Sequence, residues 1–330
     1  MPSLITHYLC GDKWLNQLNE DTVKSLITKY RQVFNVGTQG PDILFYYRIW
    51  PWYKTKGIDK IGSKMHSEKV SEVFQEGLKY INTTKENRGL LTAYLLGYAC
   101  HYALDSSTHP YIYYMTGFAK EKDFKGQYSC YHSKFEKAID LHMLEMEQRL
   151  QHTDIKVAGF IRLNRHEALV IGNMYSIVLA KVFNISITPK QVATAISDMR
   201  NIYSFLEDRR GKKMKLFNWL EQKLNYNSYI TSNMYTHKLN KDFDYLNHQE
   251  LPWQLPWDNT SVRNDSFYQL YNNAIAETNR LSQGIVNYLE GINSLEVTMK
   301  IIGNKSFSTG VDCNTEIEMK YHNCIYEQLN

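Results

Sequence analysis

Cysteine is sparse and unpatterned in this chain: Cys10, Cys100, Cys130, Cys313 and Cys324 make an odd set of 5 with no CxxC spacing. Such a set supports neither a disulfide scaffold nor a cysteine zinc finger, so most are expected to be buried thiols. Cys313 and Cys324 would pair only in an exported protein. Long hydrophobic runs are also missing. The most apolar stretch, residues 89–103, is broken by Thr92, Tyr94, Tyr98 and His101, and nothing reaches the roughly 20 residues that span a bilayer. The opening MPSLITHYLCGDKWLNQLNEDT has no basic stretch, apolar run or small-residue cleavage site, which excludes a Sec signal peptide and makes the cytoplasm the expected compartment. Peripheral membrane contact and non-classical export stay open. No charge of one sign dominates: Lys plus Arg number 38 against 34 Asp plus Glu, a formal +4. That balance is too small to imply nucleic acid and too mixed to imply an anionic membrane without a local patch; no stable nucleic-acid partner is expected, and no obligate protein partner is evident.

Familiar catalytic signatures are absent as well. There is no GxSxG elbow, GxxxxGKS/T loop, HExxH helix or GxGxxG turn, so serine hydrolase, P-loop, zincin and dinucleotide-binding readings have no local support.

Only 7 prolines in 330 residues leave long uninterrupted intervals, as in a helical protein. Apolar residues recur at three and four from Ser67 to Tyr80 (Val70, Val73, Phe74, Leu78), predicting a helix with one buried face. Residues 89–105 are apolar nearly all round and predict a central helix whose polar side chains need partners. Further helices are expected at 131–148, 166–182, 188–208 (Thr188 as cap, Pro189 in the first turn), 216–238 and 266–290. LPWQLPWDNT at 251–260 reads as an ordered loop packed across the helices. Alternation in the last stretch predicts a hairpin or a loosely attached tail. The expected fold class is all-α, with a helical domain over 1–295 and a small β or irregular extension over 296–330.

The informative spacing is HYALDSSTH: His101, Asp105 and His109 follow one another at offsets of four. Offsets of four share a helix face. On an otherwise apolar helix that stripe is either a set of unpaired polar groups or a metal site, and imidazole with carboxylate suits zinc. His132 and Glu136 are again four apart, and His66 and Asp42 add donors, more than one ion requires. Two ions a few ångström apart serve in-line attack of water on phosphorus, which makes phosphate ester hydrolysis the best-matched reaction. Asp105 is central enough in the pattern to bridge. Structural zinc with closed coordination is the bland alternative.

These residues resemble the zinc-dependent phospholipase C family and the all-helical superfamily it shares with single-strand-specific zinc nucleases. The likeness rests on THYL at 6–9, GPD at 40–42, His66, HYALDSSTHPYI at 101–112 and HSKFE at 132–136, with a weaker extension to about residue 290 through NHQELPWQLPWDNTS. It implies a trinuclear zinc centre, two or three ions per chain: one held by Asp42, His66, His101 and Asp105, a second by His109, His132 and Glu136, a third by His7 and bridging Asp105. Catalytic roles fall to Asp42 (general base or ligand), Glu136 and Asp105. Secreted relatives complete the third site with an N-terminal tryptophan; here the amine of Pro2, if Met1 is removed, is a candidate substitute, with the Met1 amine or a site of two ions only as the alternatives. Phe45, Tyr46, Tyr47, Trp50 and Trp52 in DILFYYRIWPWY form either an aromatic rim suited to a lipid or part of the core. Aromatics of this kind also stack nucleobases. The resemblance implies phospholipase C-type cleavage of a phospholipid, with transient contact with a membrane surface. A zinc nuclease and an inactive, metal-stabilised binding protein are the alternatives.

Overall fold

Helices form where the apolar period is close to 3.6 residues and stop where Gly, Asn or Pro intervenes. The structure, a computed structural model, describes residues 3–50, 52–54, 57–118, 126–225, 228–236, 239–240 and 242–328. Among the described residues the helices are α1 (Leu4–Gln17), α2 (Asp21–Lys29), α3 (Arg31–Gly37), α4 (Ile58–Ser67), α5 (Val70–Thr83), α6 (Arg88–Thr116), α7 (Gln127–Gln148), α8 (Arg165–Phe183), α9 (Pro189–Leu206), α10 (Lys212–Lys223), α11 (Phe267–Leu289) and α12 (Leu295–Ile302). A 3-10 segment covers Gly40–Tyr46. The fold is therefore predominantly helical, as its composition predicts.

Several helix starts carry their own signal. Asn164, Thr188 and Ser266 each accept a hydrogen bond from the backbone N–H three residues on, and Glu167, Gln191 and Gln269 return it. These capping boxes satisfy two otherwise orphaned donors each. The apolar α6 runs through the centre, packed against α3 and α11, while α1 lies on α7 and α8 on α9. The α3–α6 crossing is unusually close because it is made by two glycines. A Cβ on Gly97 would sit 2.3 Å from the Phe34 carbonyl oxygen, and one on Gly37 would sit 2.3 Å from that of Tyr94. That contact brings the Thr38–Asp42 turn directly over α6.

Three expectations need correction. The helix expected over 216–238 ends at Lys223, because Asn225 takes a left-handed φ of 57° and the buried Glu221 carboxylate folds the chain back by accepting from the Ile230 and Thr231 N–H groups. The 251–260 loop is instead the start of an antiparallel hairpin, β1 (Trp253–Leu255) with β2 (Asp258–Arg263), where the irregularity after Gln254 accommodates Pro256. Residues 296–328 do not form the hairpin and, after α12, take the irregular alternative. They begin in α12, capped by Ser294, and continue as irregular chain with one isolated bridge between Lys305 and Asp312. Val297, Met299 and Ile301 alternate in sequence, but Thr298 and Ile302, four apart, are the residues buried. Cys313 and Cys324 are not paired in a disulfide. No helix among the described residues is long and apolar enough to cross a membrane.

Candidate metal centre

α6 supplies three donors from successive turns, and the other elements bring theirs to it. His101, Asp105 and His109 are essentially buried, as are His7 from α1, Asp42 from the 3-10 segment, His66 from α4 and Glu136 from α7. Their donor atoms fall into three groups, each with ligand atoms within 4.8 Å of one another: His7, His101 and Asp105; Asp42, His66 and His101; and His109, His132 and Glu136.

Asp105 connects the first two groups through different oxygens. Its Oδ1 is 3.2 Å from His7 Nε2, and its Oδ2 is 3.1 Å from His101 Nε2 and 3.9 Å from His66 Nε2. The third group approaches Asp105 through His109, whose Nδ1 is 3.8 Å from Oδ1. Asp42 Oδ1 stands 3.0 Å from His66 Nε2 and 3.9 Å from His101 Nε2. His132 Nε2 and Glu136 Oε1 are 2.7 Å apart.

Whether zinc fits can be judged from what these atoms lack. Both nitrogens of His7, Nε2 of His66 and His101, Oδ1 of Asp42 and both oxygens of Asp105 are buried without a hydrogen-bond partner among the described residues. An unsatisfied buried carboxylate is expensive enough that such a concentration calls for a cation. The imidazoles are also oriented for one. His66 Nδ1 donates to the Gly62 carbonyl at 2.6 Å, His101 Nδ1 to that of Thr38 at 3.1 Å, and His109 Nδ1 to that of Phe307 at 2.8 Å. In each ring this leaves Nε2 with its lone pair free, the tautomer a metal ligand needs. The residues fit zinc.

Electrostatics agree. Burial disfavours charge on Asp105, but the imidazoles of His101, His109 and His7 outweigh it and hold the carboxyl well below its usual range. Burial likewise opposes charge on Glu136, and His132 reverses the effect, bringing that carboxyl down to about 2. Desolvation pushes His109 well below its ordinary value, and His132 down as well. Ionised carboxylates and neutral imidazoles are the protonation states that coordinate.

The local sequence explains the placement. Gly40, at φ 51°, lies against the His101 ring so closely that a Cβ would be 2.3 Å from its Cδ2. This left-handed turn, supported by the Gly37–Gly97 approach, delivers Asp42 to the cluster. The first turn of α1 is capped in trans: Ser3 makes no side-chain cap, and Asp140 of α7 instead accepts from the N–H groups of Ile5 at 3.1 Å and Thr6 at 2.8 Å, and from Thr6 Oγ1 at 2.6 Å. The Tyr235 hydroxyl donates to Asp140 at 2.7 Å. His7 thus hangs from the same helix that carries Glu136.

Beside Asp42 and Glu136 opens a small cavity walled by Ser3, Gln39, Tyr46, Ser133, Lys137 and Tyr203. Lys137 is buried, donates to Ser3 Oγ and, at 3.3 Å, to the Tyr203 hydroxyl, and lies over the Tyr203 and Tyr235 rings. Among the described residues it has no ion-pair partner.

The expected aromatic rim divides. Tyr46 lines the cavity, with its hydroxyl 3.3 Å from that of Tyr203. Phe45 stacks on His66 with ring centroids 5.5 Å apart, behind the cluster. Tyr47 is buried in the core rather than at a rim, because the 3-10 segment turns it inward. Trp50 and Trp52 stack on each other, and Trp52 is 70% exposed. Pro2 and Met1 lie outside the described residues.

Sequence reasoning missed Asp140, Lys137, Tyr203 and Phe307. Asp140 had a signal, since His132, Glu136 and Asp140 continue the offset of four. Phe307 had none: it packs on His66 and His101 from the far end of the chain, and its N–H bonds the His66 carbonyl at 2.8 Å.

The family described as zinc dependent phospholipase C matches residues 6–185, a span holding every residue of the three donor groups. No curated protein and no solved structure matches the chain. With more than half the sequence matched and the donor set assembled, this is a zinc-dependent enzyme of phosphodiesterase type, and the chain belongs to the zinc-dependent phospholipase C family.

Proposed function

We propose that the protein hydrolyses glycerophospholipids at the bond between glycerol oxygen and phosphorus, releasing diacylglycerol and a phosphorylated headgroup. The observation that carries this reading is Asp105, whose oxygens face His7 at 3.2 Å and, at 3.1 Å, His101, the residue shared with the group of Asp42 and His66, while Asp42 and Glu136 line a cavity. In this reading two or three zinc ions are held by Asp42, His66, His101 and Asp105, by His109, His132 and Glu136, and by His7 with Asp105. When bound there, zinc would acidify a water and neutralise charge on the phosphoryl oxygens.

The chain's own residues do the remainder. Asp42 and Glu136 line the cavity, where a carboxylate can orient water, accept its proton as the water oxygen bonds to phosphorus, and return that proton to the glycerol oxygen as its bond to phosphorus breaks. Lys137 places positive charge in the same wall, suited to a non-bridging phosphoryl oxygen. The Tyr46 phenol is held well above its usual pKa by burial, so it stays a neutral donor.

The test is zinc per chain on purified protein, followed by hydrolysis assays on phospholipid and on single-stranded DNA. Two or three ions and diacylglycerol release are expected. One ion or none after zinc resupply, without turnover, would leave a metal-stabilised binding protein; DNA cleavage alone would make the chain a nuclease.

A further inference from the structure

Helix α10 is built inside out. Leu216, Trp219, Leu220 and Leu224 share one helical face, and that face points to solvent: Leu216, Trp219 and Leu224 are 53%, 54% and 61% exposed. The buried residue of the helix is an acid, Glu221, whose carboxylate accepts from the Ile230 and Thr231 N–H groups and from Thr231 Oγ1. A short amphipathic helix normally turns its apolar stripe to the core. Here the polar side is anchored and the apolar side is presented.

Aromatic side chains extend the stripe toward the 3-10 segment that carries Asp42. Phe217 packs on Phe205 at 5.9 Å between centroids, Phe205 meets Trp50 edge-on at 5.3 Å, and Trp50 stacks on Trp52 at 5.4 Å. Two residues before Phe205, Tyr203 lines the cavity with Tyr46 and Asp42. α9 thus carries the buried Tyr203 in the cavity wall and, on its outer side, the exposed Phe205 that joins Trp50 and Trp52 to α10.

Its border is basic. Arg209, Arg210, Lys212, Lys213, Lys215 and Lys223 surround the stripe, and the acids of the same segment are already engaged. Glu207 pairs with Arg209 at 2.7 Å, Asp208 accepts from the N–H groups of Lys212 and Met214 to start α10, and Glu221 faces inward. Arg210, Lys212, Lys215 and Lys223 are exposed and have no carboxylate partner among the described residues. Exposed tryptophan and leucine ringed by cations match a lipid surface bearing negative charge: the aromatics seat at the headgroup level while long basic side chains reach phosphate. A second copy of the chain would bring like charges together.

We propose that α10, with Trp50, Trp52 and Phe205, is the surface on which the protein docks to an anionic phospholipid bilayer, directing the metal-centre cavity toward the lipid. The inference rests on the phospholipid reading for its purpose and on this patch alone for its existence.

The experiment uses the zinc-loaded full chain with sedimenting vesicles of phosphatidylcholine, with or without phosphatidylglycerol, and compares Arg210→Gln/Lys212→Gln/Lys215→Gln and Trp219→Ala with the unaltered protein. Preferential, salt-sensitive partition to the phosphatidylglycerol vesicles is expected. At about fivefold per basic residue near the surface, the triple variant should bind about a hundredfold less well. Trp219→Ala should weaken partition to both vesicle types. Both variants should keep their zinc, their helical circular dichroism and their rate on a short-chain phospholipid below its micelle concentration. Equal or no binding to the two vesicle types, unchanged partition of the triple variant, or a dimer in light scattering that Trp219→Ala dissociates would overturn docking. Vesicle binding as expected with no phospholipid hydrolysed would overturn only the substrate reading, and hydrolysis of the dispersed lipid without vesicle binding only the docking surface.

Discussion

Asp140 holds the two ends of the metal centre in register, and its removal can be worked through. Alanine there would leave the N–H groups of Ile5 and Thr6 and the hydroxyls of Thr6 and Tyr235 without their buried acceptor. A hydrogen bond to a charged group contributes about 1.5–3 kcal/mol, and each stranded buried donor costs about 1–3 kcal/mol. Water entering the vacated space would recover part of this, so Asp140→Ala should destabilise by about 3–5 kcal/mol. Asp140→Asn keeps one acceptor for Thr6 and can donate to the Tyr235 oxygen, but it loses the acceptor for Ile5; it should cost about 1–2 kcal/mol. Equilibrium urea unfolding in the presence of a chelator measures both, and competition with a chromophoric chelator measures zinc affinity, which should fall in the same order because His7 follows directly from the capped turn.

The pH dependence has a definite sign. Burial raises the Asp140 carboxyl above its ordinary value, against the pull of Lys137, Thr6 and Tyr235. The folded state therefore holds this proton more tightly than the unfolded chain. The advantage of the parent over the Asp140→Asn variant should be greatest below the ordinary carboxylate range and shrink as pH rises through the raised folded value. An Asp140→Ala variant within about 1 kcal/mol of the parent would refute the trans-cap argument, since even one stranded buried donor costs that much.

Asp105→Ala should remove zinc and activity together; full zinc content with full rate would refute the bridging role. Gly40→Ala, which puts a Cβ 2.3 Å from His101 Cδ2 at a φ of 51°, should cost about 2–4 kcal/mol and weaken zinc binding, measured by thermal unfolding and elemental analysis. Lys137→Gln should lower kcat/KM by about 100-fold with zinc content unchanged, and parallel loss of zinc would show it to be a structural residue instead. Zinc held at about 100 to 1,000 times its Kd should stabilise the fold by about 3–4 kcal/mol, a difference that chelation followed by urea unfolding reads directly.

The metal centre was legible where its spacing is local. His101, Asp105 and His109 on α6, and His132 with Glu136 on α7, follow from a period that any helix imposes. The long helices were legible for the same reason, and Thr188 with Pro189 marks the start of α9. What escaped depends on contacts that sequence spacing does not encode. The close approach of α3 to α6 rests on Gly37 and Gly97, 60 positions apart, neither of which looks special alone. The end of α10 at Lys223 is set by Glu221 reaching forward to Thr231, and the apolar stripe of that helix gives no sign in its sequence of facing outward. The hairpin at 253–263 was obscured by Pro252 and Pro256, residues that ordinarily speak against strands.

Phe307 ties the tail to the metal centre, and this has a bearing on how the protein is made. Its carbonyl fixes the tautomer of His109, 198 residues earlier in the chain, and its N–H clasps the residue that carries the His66 ring. During synthesis from the N-terminus the donors of α1 to α7 emerge long before the segment that finishes orienting them. A chain ending before residue 307 lacks the acceptor for His109 Nδ1 and the donor to the His66 carbonyl. The orientation of two donor imidazoles therefore depends on a contact that only the part of the chain beyond α12 can make.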